Sequence, residues 1–300
     1  MSDNYTLVPL ANGTFTVRSS AERETFHPVV GPVAEAEALY VRQLKLRERA
    51  AGRRQLANPG TRQDAVGTLT DEFVIWDIGL GAGGNVLTAL HVLKDLPANL
   101  HIVSFDHTLG ALRFALEHAS QLQFPLGLEG VLEELLQTQS VEFRHGALQV
   151  RWEIHFGDFP SALAGPKPAW PVPQAIFFDA YSPARNPDMW TLPLFENLFR
   201  CLDPQKPCAL ATYSRSTIPR VTLLLAGFFV GAGDPVAEKN ETTIAANSLE
   251  LIERPLAARW LERARTSHSA EPLHSGEYRI APLTGDTWER LRRHPQFTQA

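Results

Sequence analysis

Residues 73–96, FVIWDIGLGAGGNVLTALHVLKDL, decide how the rest of the chain is read. Phe73, Val74, Ile75 and Trp76 form a short run of β-branched and aromatic residues, the composition of a buried strand. The run reaches an acid, Asp77, and breaks into glycines at 79, 81, 83 and 84. Apolar residues then return at helical spacing. A strand, a glycine turn and a helix in succession form the repeating unit of an α/β fold.

Outward from this unit the alternation continues. HIVSFD (101–106) is the second strand, and LGALRFALEHASQL and GVLEELLQTQ are helices after it. SVEFRHGALQVRWEIHFGD has two alternating runs around His145-Gly146, which predict a hairpin feeding a third strand. QAIFFDA is the fourth strand, followed by the helix LPLFENLFRCL. CALATYS is the fifth, followed by the helix TIPRVTLLLAGF. FVGAGDPVAEKNETTIAAN predicts a closing antiparallel hairpin. Upstream, YTLVPLANGTFTVRSS alternates on either side of Asn12-Gly13 and reads as a hairpin. A helix is expected from about Val33, with Ala34, Ala38, Val41 and Leu44 on one face, and NPGTRQDAVG is expected to be a loop. The expected organisation is an N-terminal hairpin and helix over 1–70, a main domain over 71–256, and a tail of unassigned role over 257–300.

At 300 residues, 44% hydrophobic and 20% charged, the chain has the composition of an ordinary globular protein. Its net charge of −5 means that any nucleic-acid partner must be met by a local basic patch. Cys201 and Cys208 make neither a disulfide framework nor a metal cluster, so no metal is expected. No signal peptide and no membrane-length apolar run is visible, and the expected location is the cytoplasm.

The glycine loop DIGLGAGGN (77–85) brings backbone N–H groups close to a ligand at a helix N-terminus. Gly79, Gly81 and Gly84 satisfy the dinucleotide pattern G-x-G-x-x-G, so an NAD-dependent oxidoreductase is one reading. Asp77 favours another: a carboxylate two residues before the first glycine repels a pyrophosphate but suits a ligand bearing an ammonium and a sulfonium. The loop also reads G-x-G-x-G through Gly79, Gly81 and Gly83, the pattern of class I methyltransferases that use S-adenosyl-L-methionine. Asp106, ending the second strand, is placed to accept ribose hydroxyls, and Asp158, ending the third, to accept the adenine amino group.

The fourth strand ends on Asp179 and continues as AYSPARNPDMW. Ligands of open α/β sheets bind beyond the carboxyl ends of the strands, so Asp179 is expected to face the cofactor space. Methylation of an amine needs a neutral nitrogen, and a carboxylate orients it and takes its proton. Pro183 and Pro187 stiffen the wall. Tyr181 and Trp190 offer faces for a planar ring, and Arg185 a phosphate contact.

FFDAYSPARNPDMWTLPLF resembles the D-A-F-x-P-x-[KR]-N-P-x-x-W segment of the MnmC/MnmD-type tRNA methyltransferases. DIGLGAGGN, FHPVVGPVAEAEALYV, LATYSRSTIPRVTLLLAGF and EKNETTIAAN are similar to further segments of that family, and together they cover about residues 5–250. The resemblance implies a Rossmann-like class I methyltransferase with a seven-stranded mostly parallel sheet, plus the N-terminal β-hairpin and helix. It implies S-adenosyl-L-methionine as cofactor and the 5-aminomethyl group of wobble (2-thio)uridine as substrate, giving 5-methylaminomethyl-2-thiouridine. Asp179 matches the acid proposed as base or amine anchor. Gly79, Gly81, Gly83 and Asn85 match the cofactor loop, and His27, Gly31 and Glu35 an N-terminal segment near the cofactor pocket. Asn186 falls on the motif's asparagine and is a candidate substrate contact. Asp77 and Asp106 stand where the family usually or often has Glu. The flavin oxidase domain of bifunctional relatives has no counterpart in 300 residues, and an FAD-dependent or GTPase modification enzyme would act upstream.

The implied partner is a tRNA anticodon stem-loop. The run Arg42, Lys45, Arg47, Arg49, Arg53, Arg54 holds six cations against the single Glu48 and is the expected phosphate surface, with Arg215 and Arg220 as further candidates. The alternatives are a methyltransferase acting on a small amine or a protein, and the NAD enzyme.

Overall fold

The computed structural model describes residues 4–27, 29–56, 72–123, 127–237 and 240–298, without the side chains of 52–56. The expected loop at 58–67 lies outside the described residues. The chain divides into two compact units, Met1–Phe156 and Gly157–Ala300.

The first unit begins with a three-stranded antiparallel sheet of β1 (Tyr5–Pro9), β2 (Phe15–Ser19) and β3 (Glu24–Thr25), in which Leu7 pairs with Val17. Next comes α1 (Pro32–Ala36), which runs into a π-helical turn over Glu37–Arg42. Helix α2 (Leu46–Leu56) is separate, because Lys45 takes a left-handed φ of 49°. The single helix expected from Val33 is therefore broken. Strands β4 (Glu72–Ile78), β5 (Asn99–Asp106), β6 (Ser140–His145) and β7 (Leu148–Phe156) lie in the order β4-β5-β7-β6. The first three in that order are parallel, and β6 is the antiparallel hairpin partner of β7. The helices are α3 (Gly84–Leu93), α4 (Gly110–Glu117), α5 (Ala119–Leu122) and α6 (Glu129–Thr138). The expected helix over 109–122 breaks at His118, whose Nδ1 bonds the Phe114 carbonyl oxygen. From Phe73 to Ile78 every residue of β4 is buried, as a parallel strand covered on both faces requires.

In the second unit α7 (Phe159–Ala164) precedes β8 (Ala175–Phe178), α8 (Leu192–Cys201), β9 (Ala209–Thr212), α9 (Thr217–Leu225), β10 (Phe229–Gly233) and β11 (Thr242–Ala246). The strand order is β10-β11-β9-β8, with β8 and β9 parallel and β11 antiparallel to both neighbours. The closing hairpin is thus β10 and β11, although Glu238 and Lys239 of its expected span lie outside the described residues. Beyond the N-terminal sheet the described residues form four strands in each unit, eight where the family resemblance implied seven. The fold is Rossmann-like.

The residues after 256 form α10 (Ala258–Thr266), α11 (Gly285–Arg292) and α12 (Pro295–Thr298). Gln296 fastens this end: its side chain accepts from Val230 N at 2.7 Å and donates to the Val230 and Leu256 carbonyls. His294 sits beside it among Phe229 and Phe297, and its Nδ1 accepts from Gln296 N. Among the described residues, no helix is long and apolar enough to cross a membrane, and no cluster of His, Cys, Asp and Glu could hold a metal.

Burial pushes the His294 imidazole down to about 4. A proton on Nδ1 would also turn an acceptor into a donor facing Gln296 N–H. The unfolded chain takes up this proton near the ordinary value of 6.5 and the folded chain only near 4. The stabilisation is therefore present above about 6.5 and lost as the pH falls toward 4. Denaturant titrations are expected to show the wild type weakening across this range and His294→Gln changing less.

Candidate functional site

In the first unit the turn after β4 is built by backbone geometry. Gly79, Gly81 and Gly83 have φ of 93°, 53° and 81°, the left-handed region that costs other residues. Gly79 N and Leu80 N donate to the Phe105 carbonyl, which ties the turn to the end of β5. A Cβ at 81 would lie 3.3 Å from Phe26, and one at 83 would lie 3.0 Å from Leu112, so these side chains pack this closely on the turn only because it is glycine. Gly83 is the N-cap of α3 and supplies no capping side chain, and the first turn of α3 has no acid. The positive end of the helix dipole therefore meets no side-chain cap and no first-turn acid.

Asp106 locks this turn. Its Oδ2 accepts from Gly81 N at 2.8 Å and its Oδ1 from Thr108 N at 3.0 Å, with His107 Nδ1 at 3.3 Å. A carboxylate has about four lone-pair positions, so two bonds leave capacity for ribose hydroxyls. Asp77 lies beneath the loop, 1% exposed, with Oδ2 accepting from Ser104 Oγ at 2.8 Å; Ser104 Oγ accepts in turn from Trp152 Nε1. Asn85 is buried in the first turn of α3.

The N-terminal segment covers the loop. Phe26 lies against Gly81, and Pro32 lies 3.1 Å from where a Cβ of Gly84 would be. Between them His27 takes a left-handed φ of 46°, with Nδ1 3.6 Å from Glu35 Oε2 and both side chains nearly buried. A strained residue held this way is a common mark of a functional segment. Tyr5, Leu7, Phe15 and Phe26 pack on a cluster that includes Ala82 of the loop and Phe114 of α4. The Tyr5 phenol hydrogen-bonds Thr108, and burial raises its pKa despite that bond. Tyr5 and Phe26 are absent from the sequence reading, since alternation within a hairpin carries no sign of what the hairpin covers.

In the second unit the loop after β8 is held by two ring donors, the buried Trp190 and the half-buried Tyr213. Trp190 Nε1 donates to the Tyr181 carbonyl at 2.7 Å and Tyr213 Oη to the Ala180 carbonyl at 3.0 Å. The two carbonyls directly after half-buried Asp179 are thus fixed. Arg185 N and Asn186 N both donate to the Ser182 carbonyl, which folds the proline segment back before the 3-10 turn Pro187–Trp190. Tyr181, Pro183 and Asn186 are half-buried and Arg185 is exposed. Asp158 is exposed and caps α7, accepting from Ser161 N at 2.9 Å with one oxygen.

Two expectations are corrected. Trp190 is 0% exposed, in edge contact with Phe178, and offers no face to a base; it supports the loop from behind. Arg220 is buried, donating to Thr243 Oγ1, Glu241 and the Thr242 carbonyl, so it pins β11 rather than a phosphate. The basic run does not gather at the glycine loop. Arg47 bonds the Val92 carbonyl near the end of α3, and Arg49 stacks over Phe73 at the start of β4. Those contacts lie about 15 Å along α3 and about 20 Å along β4 from the loop. Arg42, Lys45 and Arg47 are exposed, and the side chains of Arg53 and Arg54 lie outside those described.

A family model described as S-adenosyl-L-methionine-dependent methyltransferase matches residues 124–248. The bifunctional protein MnmC of Aeromonas hydrophila, named for tRNA 5-methylaminomethyl-2-thiouridine biosynthesis, is 33% identical over 178 residues, 53% of this chain and 25% of its own. The MnmC of Methylibium petroleiphilum is 27% identical over 260 residues, 84% of this chain and 36% of its own. The chain thus spans about a quarter to a third of the length of these relatives. The crystal structure of MNMC2 from Aquifex aeolicus superposes with a TM-score of 0.66 at 23% identity, covering 96% of this chain and 84% of that one. Residues 124–248 thus match a family of S-adenosyl-L-methionine-dependent methyltransferases, and the chain is similar to the MnmC proteins over part of their length. The left-handed glycine turn, the helix start without a side-chain cap and Asp106 fit that cofactor.

Two substitutions separate the loops. Gly83→Ala is expected to weaken S-adenosyl-L-methionine binding at least about tenfold by calorimetry, because a side chain there is strained by one or more kcal/mol. Trp190→Phe keeps the ring packing but strands the Tyr181 carbonyl. It is expected to leave cofactor affinity unchanged and lower turnover roughly tenfold, the worth of one buried hydrogen bond.

Proposed function

We propose that this methyltransferase transfers a methyl group to the 5-aminomethyl nitrogen of wobble (2-thio)uridine in tRNA, giving 5-methylaminomethyl-2-thiouridine. The observation that carries the reading is the Asp179 segment. A buried apolar strand delivers a carboxylate to its C-terminal end, and the next two carbonyls are each fixed by an aromatic side-chain donor. The relatives named for this tRNA modification supply the substrate.

The glycine loop, Asp77, Asn85 and Asp106, with His27 and Glu35, are assigned to the cofactor, and Asp158 to its adenine amino group. When bound, S-adenosyl-L-methionine supplies the methyl group. Asp179 accepts a hydrogen bond from the substrate amine, which directs the nitrogen lone pair away from the carboxylate, and it takes the proton released as the new N–C bond forms. A carboxylate is suited to both tasks because it accepts hydrogen bonds only when ionised and holds a proton when the amine gives one up. Tyr181, Pro183 and Asn186 line the approach of the base. The reading places the protein in the cytoplasm.

The test is transfer by the purified chain to tRNA that carries the aminomethyl group and lacks only the methyl. Asp179→Asn is expected to bind the cofactor normally and to lose roughly 100- to 10,000-fold in rate. Undiminished turnover in that variant would remove the assigned role. Transfer to small amines with none to tRNA would replace the substrate.

A further inference from the structure

The remote position of the basic run raises the question of what meets the phosphates and bases of an RNA substrate. One segment of the second unit stands out. Residues 271–280 form a loop without regular secondary structure whose ends are fastened together: Ala270 N and Glu271 N both donate to the Ala281 carbonyl, at 2.9 and 3.0 Å. The Glu271 carboxylate then accepts from Thr284 N and from the hydroxyls of Thr284 and Thr287 at the start of α11. The loop is preformed by these bonds.

It is also docked. Pro272 and Leu273 are buried, and Leu192 N donates to the Leu273 carbonyl at 2.7 Å, where Thr191 and Leu273 form an isolated bridge. Gly276 packs so closely on the Asp188 carboxylate that any Cβ there would overlap it. Asp188 and Thr191 flank Trp190, which holds Tyr181, so the loop rests on the segment that carries Asp179 and Arg185.

Everything beyond the anchor is exposed. His274, Ser275, Gly276, Glu277, Tyr278, Arg279 and Ile280 all face solvent, with Tyr278 40% and Ile280 59% exposed. Large apolar side chains left in water on a fastened loop mark a contact surface. Here they flank a guanidinium, which is the mixture that recognises single-stranded nucleic acid: ring faces for unstacked bases and cations for phosphates. A duplex, with its bases stacked, has no use for the ring.

We propose that residues 274–280, together with Arg185, are the docking surface for the single-stranded loop of the RNA substrate, with Tyr278 stacking on a base and Arg279 and Arg185 meeting phosphates. This rests on the tRNA reading above.

The test uses the full chain with S-adenosyl-L-methionine present, and measures binding of an RNA hairpin with a short single-stranded loop and of a blunt RNA duplex of equal length. Tyr278→Ala is expected to weaken hairpin binding roughly tenfold and leave duplex binding unchanged. Arg279→Ala and Arg185→Ala are each expected to flatten the dependence of log affinity on log salt by about 0.7. Unchanged cofactor affinity in Tyr278→Ala and Arg279→Ala shows that the fold is intact. Wild-type hairpin binding that all three variants retain would overturn this surface and leave the tRNA reading standing. Wild-type protein that binds the cofactor but no RNA would overturn both.

Discussion

The Asp106 carboxylate is the interaction on which the first unit's glycine turn depends. It sits at the end of β5 and accepts from the amides of Gly81 and Thr108. One side chain therefore sets the glycine turn and the loop leading into α4. Three left-handed glycines make that turn accessible to the chain, and the carboxylate selects it from the many conformations glycine allows. The Phe105 carbonyl, accepting from Gly79 and Leu80, ties the same turn to the same strand end. The N-terminal sheet and α1 then close over a loop that is already fixed, through Phe26 on Gly81 and Pro32 on Gly84.

The second unit uses the same device with the polarity reversed. There the backbone supplies acceptors, and two aromatic rings supply donors. Trp190 and Tyr213 hold the carbonyls of Tyr181 and Ala180 while their rings meet edge to face at 6.3 Å. Both donors are bound to rigid aromatic frames, so the loop after β8 has little freedom to drift. A carboxylate that must align an amine to within a fraction of an ångström benefits from such support.

The sequence showed most of the architecture because buried parallel strands and amphipathic helices carry strong periodic signals. The turn at Gly79–Gly83 was legible because glycine spacing has a direct conformational meaning. Less legible were features decided by long-range packing. Trp190 reads as a stacking platform beside Asn186 and Pro187, but which way a tryptophan points depends on Phe178 and Phe195 behind it. Arg220 reads as a surface cation until the β11 hairpin closes over it. The basic run is dense in sequence, yet Arg49 is drawn over Phe73 and Arg47 to the end of α3. The break at Lys45 has no composition signal at all, because lysine is a good helix former.

The central claim is that the Asp179 loop handles an aminomethyl nitrogen on a tRNA wobble base. The most direct measurement is mass spectrometry of wobble nucleosides from cells with and without this protein. The account predicts that 5-methylaminomethyl-uridines disappear without it, that the 5-aminomethyl forms accumulate in their place, and that the wild-type gene but not an Asp179→Asn copy restores the methyl. An identical nucleoside profile in both cell lines would contradict it.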